Sequence, residues 1–168
     1  MHIHSETDRL VIRPIVLEDA PFILELVNTK GWIQYIGDRS VADLGDARDY
    51  IADILKKDNS FYNVFSLKET QQPIGIVTFL HREAEQLPDF GFAILPQFEK
   101  NGYTSEASQV YLNRLTESKV HSTIAAITKK DNQKSIALLK KLKFQYVKDF
   151  QKEQEILSLY HSATQEKT

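Results

Sequence analysis

Asp89-Phe-Gly-Phe-Ala-Ile-Leu-Pro96, Gln97-Phe-Glu-Lys-Asn-Gly102 and Tyr103-Thr-Ser-Glu-Ala107 run on without a break, and this stretch decides the fold. Phe90, Phe92, Ile94 and Leu95 carry the aromatic and branched character of a strand. Pro96 removes a donor and ends strand pairing. Asn101-Gly102 offers two consecutive residues that tolerate positive φ. Beyond them Ala107, Val110, Tyr111 and Leu115 recur at helical spacing, with Glu106 in the first turns. A polar turn entering a helix points free backbone N–H groups and the positive dipole end at one place. That place suits an anion, above all a phosphate. Neither G-x-x-x-x-G-K-[ST] nor G-x-G-x-x-G occurs here, which separates the chain from standard NTPases and nicotinamide enzymes.

Upstream, Arg9 to Val16 begins with alternation and predicts a first strand, with Pro14 suited to an edge. Leu17-Glu-Asp-Ala-Pro21 starts a helix bearing Phe22, Ile23, Leu26 and Val27 on one face. Thr29 to Arg39 is a broken segment around Trp32, Tyr35 and Ile36. Asp43 or Asp46 caps the next helix, where Ala47, Tyr50, Ile51, Ile54 and Leu55 recur. Phe61 to Lys68 and Ile74 to Leu80 are partner strands across Glu69–Pro73, with Gly75 a bulge or a close approach. His81 to Pro88 is a polar connection. Downstream, Val120 to Thr128 predicts a short buried strand and Asp131-Asn132 leads into a helix lined by Ile136, Leu139 and Leu142. Phe144–Phe150 and Ile156–His161 form a final strand pair, before a polar tail from about residue 162. The expectation is an α/β (α+β) fold: one domain over residues 1–168 built on a single mixed, mostly antiparallel twisted sheet flanked by helices. Helices joined to single strands late in the chain argue for parallel pairing within residues 89–128.

With 168 residues the chain can bury one sizeable core, and 42% apolar against 26% charged residues is ordinary for a globular protein. A formal charge of −2 gives no electrostatic case for nucleic acid. The absence of Cys excludes disulfides, thiolate metal sites and a cysteine nucleophile. No signal peptide or membrane-length apolar run is evident, so a cytoplasmic location with no membrane partner is expected.

Three segments in order resemble the GNAT acyl-CoA N-acyltransferases, in the branch of ribosomal-protein N-terminal (alanine) acetyltransferases. They are Thr7-Asp-Arg-Leu-Val-Ile-Arg-Pro14 with Leu17-Glu-Asp-Ala20, Gly91–Pro96 with Gly102-Tyr-Thr-Ser-Glu-Ala107, and Asn132-Gln-Lys-Ser135 with Leu138–Phe144. The likeness spans about residues 7 to 161. There are departures. Lys100 and Lys143 stand where the family favours glycine or a small residue, Asn101 where a basic residue is common, and Thr104 where Gly or Ala is usual.

The resemblance implies acetyl-CoA as co-substrate and no metal. The loop Lys100, Asn101, Gly102, Tyr103, Thr104 and Ser105 would take its pyrophosphate, and the strand backbone at Phe92, Ala93 and Ile94 its pantetheine arm. A backbone N–H would polarise the thioester carbonyl where two strands diverge. Asn132 would contact the arm and Ser135 would lie near the sulfur as proton donor, with Tyr146 a second acid. Asp89, and after it Glu83, would be the general base. The acceptor implied is a primary amine, foremost a protein N-terminus. An α-amine with pKa about 7.7–8 is roughly a tenth to a fifth neutral at pH 7, whereas a lysine near 10.4 is neutral in about one molecule in a few thousand. A small-molecule amine, a catalytically weak CoA-binding sensor or scaffold, and a plain interaction domain are the other readings. Both a monomer and a homodimer fit the sequence.

Overall fold

Short-range chemistry sets the element ends. Asp43 Oδ1 accepts from the Asp46 amide at 2.9 Å, which resolves the choice of cap in favour of Asp43. Thr29 Oγ1 caps the short aromatic helix through the Trp32 amide, and Asn132 Oδ1 caps another through the Ser135 amide at 3.2 Å. A computed structural model describes residues 1–81, 86–119 and 121–162 of the chain. Its strands are β1 (Ser5–Glu6), β2 (Leu10–Pro14), β3 (Ser60–Leu67), β4 (Pro73–Leu80), β5 (Asp89–Ile94), β6 (Ala125–Lys129), β7 (Phe144–Lys152) and β8 (Glu155–Ser162). Its α-helices are α1 (Ala20–Val27), α2 (Lys30–Tyr35), α3 (Leu44–Leu55), α4 (Tyr103–Ser118) and α5 (Gln133–Lys141).

The strands make one eight-stranded sheet in the order β1-β2-β3-β4-β5-β6-β8-β7, in which only β5–β6 is parallel. Ala107, Tyr111 and Leu115 of α4 and Leu139 of α5 pack on one face with Leu10, Phe65, Phe79 and Phe90. Ile23, Leu26 and Ile51 of α1 and α3 cover the other, against Val64 and Ile76. Pro14 fits because the neighbouring Ile15 amide bonds to the Tyr62 carbonyl, so the ladder alternation turns the Pro14 nitrogen outward.

Several expected boundaries change. The strand expected from Val120 starts at Ala125, because its neighbours reach no further: β5 begins at Asp89 and β8 ends at Ser162. His121 to Ile124 are irregular, and Val120 lies outside the described residues. The first strand stops at Pro14 rather than Val16, and the two-residue β1 has no apolar pattern to announce it. Gly75 is both a close approach and the border of a bulge, since Phe65 and Ser66 pair with Gly75 and Pro73 and leave Ile74 as the extra residue on β4. A Cβ at Gly75 would lie 2.1 Å from Phe65 Cζ and 2.7 Å from the Ala93 carbonyl oxygen.

Gly75→Ala should therefore cost about 1–3 kcal/mol through overpacking, seen as a lower urea midpoint at unchanged slope.

Candidate active site

β5 and β6 pair at a single register position, Asp89 opposite Ala125, where the Ala125 amide reaches the Pro88 carbonyl at 2.9 Å. Beyond it they separate. On the other side β5 runs six residues along β4, and the Leu95 amide bonds to the Ile74 carbonyl at 2.9 Å. Alternation then makes Ala93–Ile76 and Gly91–Thr78 the bonded pairs. The main-chain groups of Phe92 and Ile94 therefore face the widening gap, while those of Ala93 serve β4. An unpaired edge of this kind accepts an extended amide-bearing chain as it would a strand.

At the far end of the gap lies the loop into α4. Gly102 has φ +79° and Lys100 φ +64°. The left-handed partner of Gly102 is thus Lys100, not the expected Asn101. The Asn101 side chain instead donates to the Phe98 and Glu99 carbonyls at 3.2 and 2.9 Å, folding the loop on itself. A lysine in this conformation costs about 1–2 kcal/mol. Lys143 does the same at φ +68°, just past the end of α5. Both lysines adopt the backbone that glycine would. Gly102 supplies no side-chain cap, so the first-turn amides of Tyr103, Thr104 and Ser105 stay oriented toward the loop.

The loop is held from the turn between β1 and β2. Arg9 Nε and Nη2 donate to Glu106 Oε2 at 2.8 and 2.6 Å, and Nη1 donates to the Asn101 carbonyl at 3.0 Å. The guanidinium also sits 4.5 Å from the centre of the Tyr103 ring. Thr7 Oγ1 donates to the other Glu106 oxygen at 2.5 Å. Burial pushes the Glu106 carboxyl up, but the bonds from Thr7 and Arg9 outweigh it and hold the group below its ordinary value.

Across the gap, Asn132 is buried and occupied as the cap of α5, and Ser135 stands in that helix's first turn. Lys134 Nζ meets Glu99 Oε2 at 2.5 Å, which ties α5 to the loop after β5. Lys129, at the end of β6, donates to the Gln34 carbonyl of α2 at 2.7 Å and pairs with Glu155. Beside it is a shallow groove of about 450 Å³ lined by Lys129, Lys130, Asp131, Glu155 and Ile156. Asp89 is buried at the vertex, on the sheet face that carries Ala93 and the α1–α3 core. Tyr146 borders the shallow groove through Asp149, which it hydrogen-bonds and which pairs with Lys130 at 2.7 Å. It lies on the outer strand β7, two strands from β6, 55% exposed, with its ring edge-on to Tyr160. Glu83 lies outside the described residues.

A parallel pair that opens beside an uncapped helix start can hold an extended, amide-bearing chain that ends in an anion, and comparison with known proteins gives the family. The family model described as "Acetyltransferase (GNAT) domain" matches residues 9–145, so the chain belongs to the GNAT acetyltransferases and is an acyltransferase. The chain is 28% identical over 148 residues to the uncharacterized N-acetyltransferase YoaA of Bacillus subtilis (strain 168), covering 83% of this chain and 81% of the relative. Two solved structures share the fold. The ribosomal-protein-S5-alanine acetyltransferase from Vibrio fischeri has a TM-score of 0.81 at 19% identity, covering 97% of each chain. RimL, a ribosomal L7/L12 alpha-N-protein acetyltransferase in complex with coenzyme A, reaches 0.84 at 14% identity, covering 96% of this chain and 98% of its own.

Thr7, Arg9 and Glu106 lie within the family-like segments, yet no role attaches to them in the sequence. Their sole signal is a Thr-x-Arg before a strand and an acid in a distant helix. A carboxyl held low adds stability above its ordinary pKa of 4.5 and loses it as pH falls through the folded value. Glu106→Gln should then flatten the fall in stability below pH 4.5, measured as the urea midpoint against pH.

Proposed function

We propose that the chain transfers an acetyl group from acetyl-CoA to a primary amine, and that this amine is the N-terminus of a protein or peptide. The observation carrying the first half is the gap itself, where the outward main-chain groups of Phe92 and Ile94 lead to the open amides of Tyr103, Thr104 and Ser105. This fits a donor with an amide-bearing arm and a pyrophosphate. Gly102 and Lys100 give the loop its turn, and Asn132 borders the arm. The second half draws support from two structural neighbours named for protein N-terminal or alanine acetylation. It also draws on the larger neutral fraction of an α-amine at pH 7.

Acetyl-CoA supplies an activated thioester. The Phe92 or Ile94 N–H, aimed into the gap, polarises a carbonyl placed there. Asp89, at the vertex, takes a proton from the acceptor ammonium through water, so that the neutral amine attacks the thioester carbonyl. The Ser135 hydroxyl returns a proton to the departing sulfur, with Tyr146 the second candidate for that role. The acceptor enters beside α2, where Ile33 and Ile36 are 47% and 40% exposed.

Calorimetric titration with acetyl-CoA tests the donor. Micromolar binding is expected, and Gly102→Val should weaken it at least tenfold, because φ +79° forbids a branched side chain there. Unaltered binding by the variant would remove the loop from the site. With binding established, peptides carrying free α-amines should be acetylated faster than the same peptides with blocked termini and one lysine, assayed by mass spectrometry at pH 7.

A further inference from the structure

We infer that Arg9 is a positioning residue for the donor's phosphates, acting through Glu106 and the Asn101 carbonyl rather than by contact with the phosphate. The inference rests on the acyltransferase reading above.

The loop needs an external hold, since it contains two left-handed residues and its helix lacks a side-chain cap. Arg9 reaches it from the turn just before β2, 92 residues from Asn101 and 97 from Glu106. Three of the five guanidinium N–H groups are engaged, two on one Glu106 oxygen and one on the Asn101 carbonyl. The flat face rests against Tyr103, the first residue of α4. One cation thus fixes a loop carbonyl, the first helical residue and an acid one turn in. Those three points determine where the amides of residues 103–105 aim.

The charges separate positioning from direct binding. Arg9 and Glu106 form an ion pair at 2.6 Å, so together they present little net charge to an anion. Without the Arg9 side chain, the Glu106 carboxylate keeps the Thr7 hydroxyl and the backbone N–H of residue 9 but no cation, and its negative charge lies in the first turn of α4, beside the place proposed for the pyrophosphate. Loss of Arg9 therefore does two kinds of harm: the loop loosens, and an unneutralised acid repels the ligand. The second harm can be reversed by removing the acid as well. A purely structural role would not be rescued in this way, and a direct phosphate ligand would recover only the repulsion removed, short of near-native binding.

The test is calorimetry with coenzyme A on the full chain, with pantetheine, which lacks the pyrophosphate, followed in parallel by ligand-detected NMR. Arg9→Gln should weaken coenzyme A about tenfold and leave pantetheine unchanged within about twofold. Arg9→Lys keeps the charge but not the fork, and should fall between native and Arg9→Gln. The double variant Arg9→Gln/Glu106→Gln should recover to within about threefold of native. The inference is overturned if Arg9→Gln leaves coenzyme A binding intact, if pantetheine weakens in parallel, or if the double variant binds worse than the single one. Absence of coenzyme A binding by the native chain would instead defeat the reading on which it rests.

Discussion

The site depends on one constraint: β5 and β6 pair at Asp89–Ala125 and at no further register position. Were they paired along their length, the outward groups of Phe92 and Ile94 would be spent on the sheet. The divergence is maintained by what fills the core beside it. Phe90, one residue past the contact, stacks on Tyr111 of α4 at 6.2 Å and on Phe144 of β7 at 5.9 Å. The gap costs little, because its edges can be satisfied by water until a ligand takes their place.

The two walls of the gap come from successive strand–helix units, which gives each a distinct task. After β5 the chain turns sharply through Lys100 and Gly102 and delivers amides. After β6 it turns through Asn132 and delivers a hydroxyl, Ser135, and a cation, Lys134. Lys134 pairs with Glu99 across the mouth, a contact between exposed groups worth at most about 1 kcal/mol. Such a tie sets the spacing of the walls without locking them.

Most elements were legible because they are amphipathic over several turns or alternate over several residues. Ala107, Tyr111 and Leu115 announce α4, and Phe90, Phe92 and Ile94 announce β5. What escaped depends on partners remote in sequence. Position 101 was expected to be left-handed because Asn tolerates that state, but its side chain found two carbonyls and the strain passed to Lys100. β6 begins late because its neighbours set its length, which local β-propensity does not encode. The phosphate loop could be placed from sequence, whereas its anchorage in Thr7 and Arg9 required the sheet to be assembled.

That anchorage ties the site to the order in which the chain can acquire structure. The Tyr111 hydroxyl bonds to the Met1 carbonyl across 110 residues, and Glu106 is held from 97 residues away. Contacts of such sequence separation carry a large loop-closure entropy and form only when the intervening strands are in register. The loop between β5 and α4 therefore matures with the whole sheet rather than with its own strand–helix unit. Opening of β1 and β2 at this end of the sheet would disorder the phosphate loop before α4 itself unwinds, so the loop shares the local stability of the first strands.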